Sequence, residues 1–416
     1  MTTNASDVTY TASFPDSVAR SVQERLSDWV SVRDFGANGN DSSDDTEAIQ
    51  NALDSQAVGG GTVRIPRGTY FYSTLNVPSG VSLVGEGSFS TLLVCTATTG
   101  DAISIASAST ISGLRLTYSG VPSGACNVRI HGNRVTITEC EFTNYYIGVI
   151  AGTQNSQAIF PVIANCSFRS PVAATGAGGI FLQNYGNALV RDCVMSGDSH
   201  PSVQPDFGIR LHNGDTAFLT DINITLHGHA LLMDVPAGLN NYATRMSGCL
   251  FDSAGSITTT SAVSSARIAP AGGVYDMLAS NCWFGLSRGG SGLTVDAIGT
   301  GAVDGFELSN CQFVNNANAG AEFLSPAIAN FKITGGYASA NGVYGLRVGP
   351  GVGRFSVNGF TAANVAGRGA NARGINIDSG QSDGYLVTNC RAQGNTVFNF
   401  YDGGTGSNIV SNNLTT

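Results

Sequence analysis

The chain is short of charge. Asp, Glu, Lys and Arg make up only 12% of its 416 residues, and lysine occurs once, at Lys332. The formal net charge is −9 and there is no basic run, so neither nucleic acid nor an anionic membrane is an expected partner. No apolar run reaches transmembrane length. The first residues, Met1-Thr2-Thr3-Asn4-Ala5-Ser6-Asp7, lack the basic-then-apolar pattern of a secretory signal. The nine cysteines are odd in number and include no Cys-x-x-Cys pair. That disfavours a disulfide framework and a thiolate metal site, and leaves buried, reduced thiols. No Ser-His-Asp spacing, nucleotide loop or metal-ligand cluster is present. No cofactor and no metal are therefore expected, and the pair His227 and His229, read as a loop around Gly228, does not change that.

Glycine is abundant, at 54 residues, and hydrophobic residues reach 42%. This mixture suits short strands joined by tight turns, in which Gly and Asn supply left-handed backbone. It suits a helical enzyme poorly. The cysteines also repeat in one local context: Glu139-Cys140-Glu141-Phe142, Asn165-Cys166-Ser167-Phe168, Asp192-Cys193-Val194-Met195, Gly248-Cys249-Leu250-Phe251, Asn281-Cys282-Trp283-Phe284 and Asn310-Cys311-Gln312-Phe313. Asn358-Gly359-Phe360 and Asn389-Cys390-Arg391-Ala392 read as degenerate last copies. The steps 140→166→193 are 26 and 27 residues. The step 193→249 is 56, two coils with Ile222 near the middle, and 249→282→311 gives 33 and 29. A self-similar period of this size marks a solenoid. The expected fold is all-β: a right-handed parallel β-helix in which Cys and Phe point inward and stack coil on coil.

Each coil also holds a Gly-led strand of the form Gly-Φ-x-Φ-x. Strand side chains alternate, so both x positions face outward. Aligned, they give Phe181 and Gln183, Arg210 and His212, Leu232 and Asp234, Arg267 and Ala269, Thr294 and Asp296, Glu322 and Leu324, Arg347 and Gly349, then Asn376 and Asp378. One face thereby collects much of the scarce charge. The sheet before the Asn turn offers mainly Arg245, Glu307 and Lys332. Trp283 faces outward elsewhere, toward a sugar ring or, preferably, a subunit interface.

Near the N-terminus, Asp44 or Asp45 can cap a helix with Ala48, Ile49, Ala52 and Leu53 on its inner face, a lid over the first coil. Residues 17–29 form a second amphipathic stretch, with Val18, Val22, Leu26 and Trp29 on one side. It is expected either to self-associate as a three-helix neck or to dock on the first coil. The division expected is 1–29 as a neck and 30–416 as the β-helix.

Several motifs in this region carry a resemblance. Val30-Ser31-Val32-Arg33-Asp34-Phe35-Gly36-Ala37-Asn38-Gly39 is followed by Asp44-Asp45-Thr46-Glu47-Ala48-Ile49-Gln50 and Gly59-Gly60-Gly61-Thr62-Val63. Pro66-Arg67-Gly68-Thr69-Tyr70, Pro78-Ser79-Gly80-Val81 and Gly85-Glu86-Gly87 complete the set. Together they resemble the opening of the pectate-lyase-like β-helix domain of bacteriophage tailspikes. The segment Val18 to Leu26 resembles the lead-in to that domain in phage tail proteins. The turn Gly39-Asn40-Asp41-Ser42-Ser43 departs from the family's usual Gly-Asp-Gly type.

The resemblance implies a virion protein made in the host cytoplasm. It implies a homotrimer attached through its N-terminus to other phage tail proteins, and a bacterial surface polysaccharide as target. On that reading the outward face is the site. One of Asp234, Asp296 and Glu322 would be the protonated acid of a glycoside hydrolase and another would activate water. Arg210, Arg267 and Arg347 would hold the sugars, with Gln183, His212 and Asp378 beside them. The alternatives are a polysaccharide lyase, with His212 as base and Arg210 and Arg267 on a uronate, and a glycan-binding adhesin without catalysis.

Overall fold

The computed structural model describes residues 3–40, 42–197, 204–255, 263–365, 367–380, 382 and 384–415. Each coil gives a strand to each of three parallel sheets, and the coils holding Asn240–Tyr242, Gly273–Tyr275, Ala302–Asp304 and Ile328–Ala329 give the third sheet a second one. The first sheet runs from Val30–Ser31 to Ile409–Ser411, the second from Gly68–Tyr72 to Arg391–Gln393, and the third from Leu75–Val77 to Phe398–Gly404. This is the expected right-handed parallel β-helix.

The corner between the first and second sheets explains the Asn-Cys repeat. A single residue turns it in the left-handed region: Asn165, Asp192, Asn281 and Asn310 have φ between 51° and 53°. Asn and Asp tolerate this backbone better than other side-chain-bearing residues. The next residue turns inward, and all nine cysteines are free and buried. The seven corner thiols, Cys140 to Cys390, donate to the carbonyl two residues back, as Cys166 does to Ala164 at 3.2 Å. The following aromatics stack across coils, with ring centroids 4.5 Å apart for Phe142 and Phe168 and 5.2 Å for Phe284 and Phe313. Ile222 takes the cysteine position in the coil between Cys193 and Cys249, and is buried.

One late copy sits differently from the expected alignment. Thr361 pairs with Arg391, which places Phe360 opposite Cys390 and gives the left-handed corner to Gly359, at φ 69°. Glycine takes that backbone without a Cβ penalty, so it displaced Asn358 from the corner. A second interior ladder was not anticipated. Buried Asn316, Asn341 and Asn371 each pass an amide hydrogen to the next side-chain oxygen, at 2.9, 2.8 and 3.1 Å, the last bond reaching Asn395.

The lid helix spans Thr46–Ser55, and Ile49, Ala52 and Leu53 are buried under it. Asp44 Oδ1 accepts from Thr46 N at 2.9 Å, while Asp45 Oδ1 accepts from Asn38 N at 2.9 Å. The stretch 17–29 is not one helix. Arg20–Ser21 pairs antiparallel with Thr9–Tyr10, and the helix covers only Val22–Leu26. Ser21 and Glu24 form a reciprocal capping box and Ser27 closes the other end, so polar groups stop the helix on both sides. Val18 and Leu26 remain exposed, and Trp29 lies 4.4 Å from the Arg64 guanidinium. Among the described residues no helix is long and apolar enough to cross a membrane.

Candidate functional site

The third sheet carries the outward face read from the Gly-led strands, in the expected register. Phe181, Arg210, Leu232, Arg267, Thr294, Glu322, Arg347 and Asn376 are consecutive Cα partners in one column. Gln183, His212, Asp234, Ala269, Asp296, Leu324, Gly349 and Asp378 follow two residues further along. Adjacent coils are ~4.8 Å apart, because that is the hydrogen-bonded spacing of strands.

The column runs back from Phe181 through Ile150 to Arg129, which is paired with Asp101, and is apolar between Arg129 and Arg210. Phe181 and Leu232 are covered, and pack with Phe207, Ile150 and Cys126 in a small cluster separate from the interior. Arg210 lies over that cluster, 5.1 Å from the Phe181 ring and 5.8 Å from Phe207. From there it reaches the next coil and grips Asp234 with Nε and Nη2, the Nε bond being 2.9 Å. His212 Nε2 lies 3.0 Å from Asp234 Oδ1, and its ring meets Phe181 edge-on at 4.6 Å. Burial alone would raise the Asp234 carboxyl. The hydrogen bonds and charges of His212 and Arg210 outweigh it and hold the group below its ordinary value. Asp234 is an anion at neutral pH.

The same step recurs twice. An Arg in the first column faces an Asp one coil later and two residues further along. Arg347 Nη2 meets Asp378 Oδ2 at 2.9 Å, and Asn376 donates to the other oxygen. Arg267 and Asp296 stand in the same relation, yet among the described residues neither has an ion-pair partner. Both are half-buried. The middle step of three is thus open, while its neighbours are closed.

Glu322 differs from the two aspartates. It is 6% exposed and surrounded by donors: Ser291 at 2.6 Å, Thr294 at 2.8 Å and Asn318 at 3.2 Å. Arg347 Nη1 is 4.0 Å away. Thr294 also bonds Ser264 at 2.7 Å. The structure therefore gathers Arg210, His212 and Asp234 in one cluster and Glu322, Arg347 and Asp378 in another. Arg267 and Asp296 lie between them, and Gln183 sits half-buried one coil before His212.

A third outward column was missed. The strands begin one residue before the glycine, so Phe207, His229, Tyr344 and Arg373 share this face, with Ser264 and Ser291 at the equivalent positions. Strict alternation puts the residue before the glycine inward and so could not have found them; it breaks because the glycine itself faces the interior, as Gly208 faces Ile224. His229 accordingly opens the strand His229–Met233 and is buried, its Nδ1 2.7 Å from Ser264 O. Burial pushes its imidazole down, and His227, fully buried, is lowered to about 4. Among the described residues no three His, Cys, Asp or Glu converge as metal ligands. Trp283 stands on the second sheet, half-buried, with the Arg368 guanidinium 5.3 Å from its ring. Glu307 and Lys332, on the first sheet, pair at 3.2 Å in solvent.

A cleft of about 460 Å³ lies on a different face, at the corner of the first two sheets, with Phe89, Glu139, Glu141, Arg169 and Asp192 in its wall. Its buried carboxylate, Glu141, is held by Arg115 at 2.8 Å. Its wall on the repeated coils covers three of them, fewer than the charged strip on the third sheet.

Curated relatives share short stretches with this chain. An iota-carrageenase of Alteromonas macleodii is 48% identical over 54 residues, 12% of this chain and 11% of that protein. The tail spike protein of Shigella phage Sf6 is 26% identical over 242 residues, 53% of this chain and 36% of that protein. The chain thus spans about a tenth and about a third of these two relatives. In shape it is similar to tailspike protein 3 of bacteriophage CBA120, with a TM-score of 0.54 at 14% identity, covering 98% of this chain and 64% of that one. Residues 29–260 match the family described as rhamnogalacturonase A/epimerase, pectate lyase-like. That match takes in more than half of the chain, which belongs to this pectate-lyase-like family.

Proposed function

We propose that this protein hydrolyses glycosidic bonds of a bacterial surface polysaccharide along the outer face of its third sheet. The observation that carries the reading is the pair Asp234 and Asp296. They share a column two coils apart, or ~9.6 Å between strands. Inverting glycosidases hold their carboxyls about 6.5–9.5 Å apart, with a water between, and the strand spacing of this pair stands at the upper limit of that range. Asp234, kept anionic by Arg210 and His212, activates that water. Asp296, bound to no cation, can carry a proton without breaking an ion pair, and delivers it to the leaving oxygen. Glu322 fixes Thr294 and Arg347 from beneath as a positioning residue. Arg267 and Gln183 contact the sugars directly.

The relatives named a carrageenase and a tail spike support a polysaccharide target and a phage tail. On this reading the protein works in the virion as a homotrimer, with residues 1–29 as a neck meeting other tail proteins. The exposed Val18 and Leu26 suit such contacts.

A second reading rests on His212. Asp234 at 3.0 Å and the Phe181 edge fix its imidazole, as a base abstracting a proton next to a uronate would require. Incubation with a panel of bacterial surface polysaccharides separates the two. New reducing ends without ultraviolet absorbance are expected, and Asp296→Asn should abolish them while binding persists. Unsaturated, absorbing products would replace hydrolysis by elimination. Binding without either product would leave an adhesin.

A further inference from the structure

The three equivalent Arg–Asp steps differ in one respect that bears on the substrate. Arg210 is neutralised by Asp234 and Arg347 by Asp378, whereas Arg267 and Asp296 are left apart. Among the described residues, the two columns of these steps therefore offer one guanidinium with neither an ion pair nor a hydrogen bond; Arg373, in the column beside them, is bound to the Tyr344 hydroxyl at 2.7 Å. The nearest column-mates of Arg267 with a positive charge lie two coils before and three coils after, ~10 Å and ~14 Å away, and both are already paired. Each coil advances by about the length of one sugar ring in an extended chain.

We infer that the polymer read by this strip carries one carboxylate per repeat, flanked by neutral sugars, and that Arg267 binds that carboxylate. The inference rests on the polysaccharide reading above and adds the charge pattern of the substrate. A guanidinium fork matches a carboxylate with two parallel hydrogen bonds. The closed pairs on either side offer polar contacts to hydroxyl groups but no spare charge. A polyuronate, charged on every ring, would instead set carboxylates beside Asp234, Asp296 and Asp378 on a protein whose net charge is already −9. Arg210 and Arg347 are already taken up by Asp234 and Asp378, so neither is free to receive a further carboxylate, and among the described residues Asp296 has no cation at all. The open step also has room for binding and cleavage together. The sugar carboxylate enters on the Arg267 side, and the adjoining glycosidic oxygen faces Asp296.

The test uses the full chain and polysaccharides of known repeat structure: a neutral glucan, a polyuronate, and bacterial heteropolysaccharides with one uronate in a repeat of three or more sugars. Affinity electrophoresis should show binding within the last group only. Reducing the uronate carboxyls of a bound polymer to alcohols should weaken binding about ten- to hundredfold, the range of one charge-assisted contact. Arg267→Gln should lose the same factor on the native polymer and no longer distinguish native from reduced. Arg267 has no ion pair to break, so this variant should fold like the wild type. Arg210→Gln, at a closed step, should still distinguish the two polymers. Tight binding to the polyuronate or the neutral glucan, or an Arg267→Gln variant that keeps its preference for the native polymer, overturns the inference. Absence of binding to every polymer would sink the polysaccharide reading itself, and this inference with it.

Discussion

Glu322→Gln tests whether the buried carboxylate positions its neighbours or meets the substrate. Oε1 receives the Ser291 and Thr294 hydroxyls at 2.6 and 2.8 Å, and Oε2 receives Asn318 Nδ2 at 3.2 Å. The glutamine oxygen can take the Oε1 place, so the two hydroxyl bonds survive but lose their charge. Its NH2 then points at Asn318 Nδ2 and toward Arg347, donor against donor. A hydrogen bond to a charged group contributes about 1.5–3 kcal/mol and a neutral one about 0.5–1.5 kcal/mol. Weakening two by about 1–1.5 kcal/mol each and losing a third therefore costs about 4–6 kcal/mol. Urea unfolding followed by circular dichroism should show this as a lower midpoint. Turnover should fall as well, because Thr294 and Arg347 lose their support. A variant with the wild-type midpoint and no turnover would refute the argument, and would make Glu322 a group that touches the reacting bond.

Two further outcomes follow from the geometry. Asp234 has a lowered folded-state pKa, so its contribution is present above the unfolded value of about 3.9 and is lost as pH falls through the lower, folded value. The stability gap between wild type and Asp234→Asn, measured by denaturant titration, should not shrink from pH 7 to about pH 4 and should close only below that; a gap closing between pH 7 and 5 would contradict the Arg210 and His212 contacts. Native thiols should react slowly with a disulfide reagent and quickly after unfolding, since all nine are buried and burial pushes Cys95 up to about 11; rapid native labelling of several would break the stacking register.

The sequence was most readable where one side chain repeats for one physical reason. The corner needs left-handed backbone and the interior needs a small apolar group, so Asn-Cys recurs and the coils can be counted. Alternation then fixed Arg210, Arg267, Glu322 and Arg347 in a common column. It failed where the signal has no period of its own. Ser264 and Ser291 look like loop residues, although they hold Thr294 and Glu322. Pairing is also invisible in sequence: Arg210 and Arg267 occupy equivalent positions, but only the former has an aspartate in its grip. The stretch 17–29 has helical spacing of apolar residues, yet Ser21 and Ser27 confine the helix to five residues.

The left-handed corner has an evolutionary corollary. Because each coil closes on its own corner and its own inward residues, the outward residues can change without disturbing what lies beneath. The pitch, set by backbone hydrogen bonds, stays constant under any such exchange. The strip is in effect a printed line with fixed spacing and replaceable characters. A lineage could retarget it to a new glycan by substituting at positions such as 267 or 296, or lengthen it by duplicating a coil, with the interior left as it was.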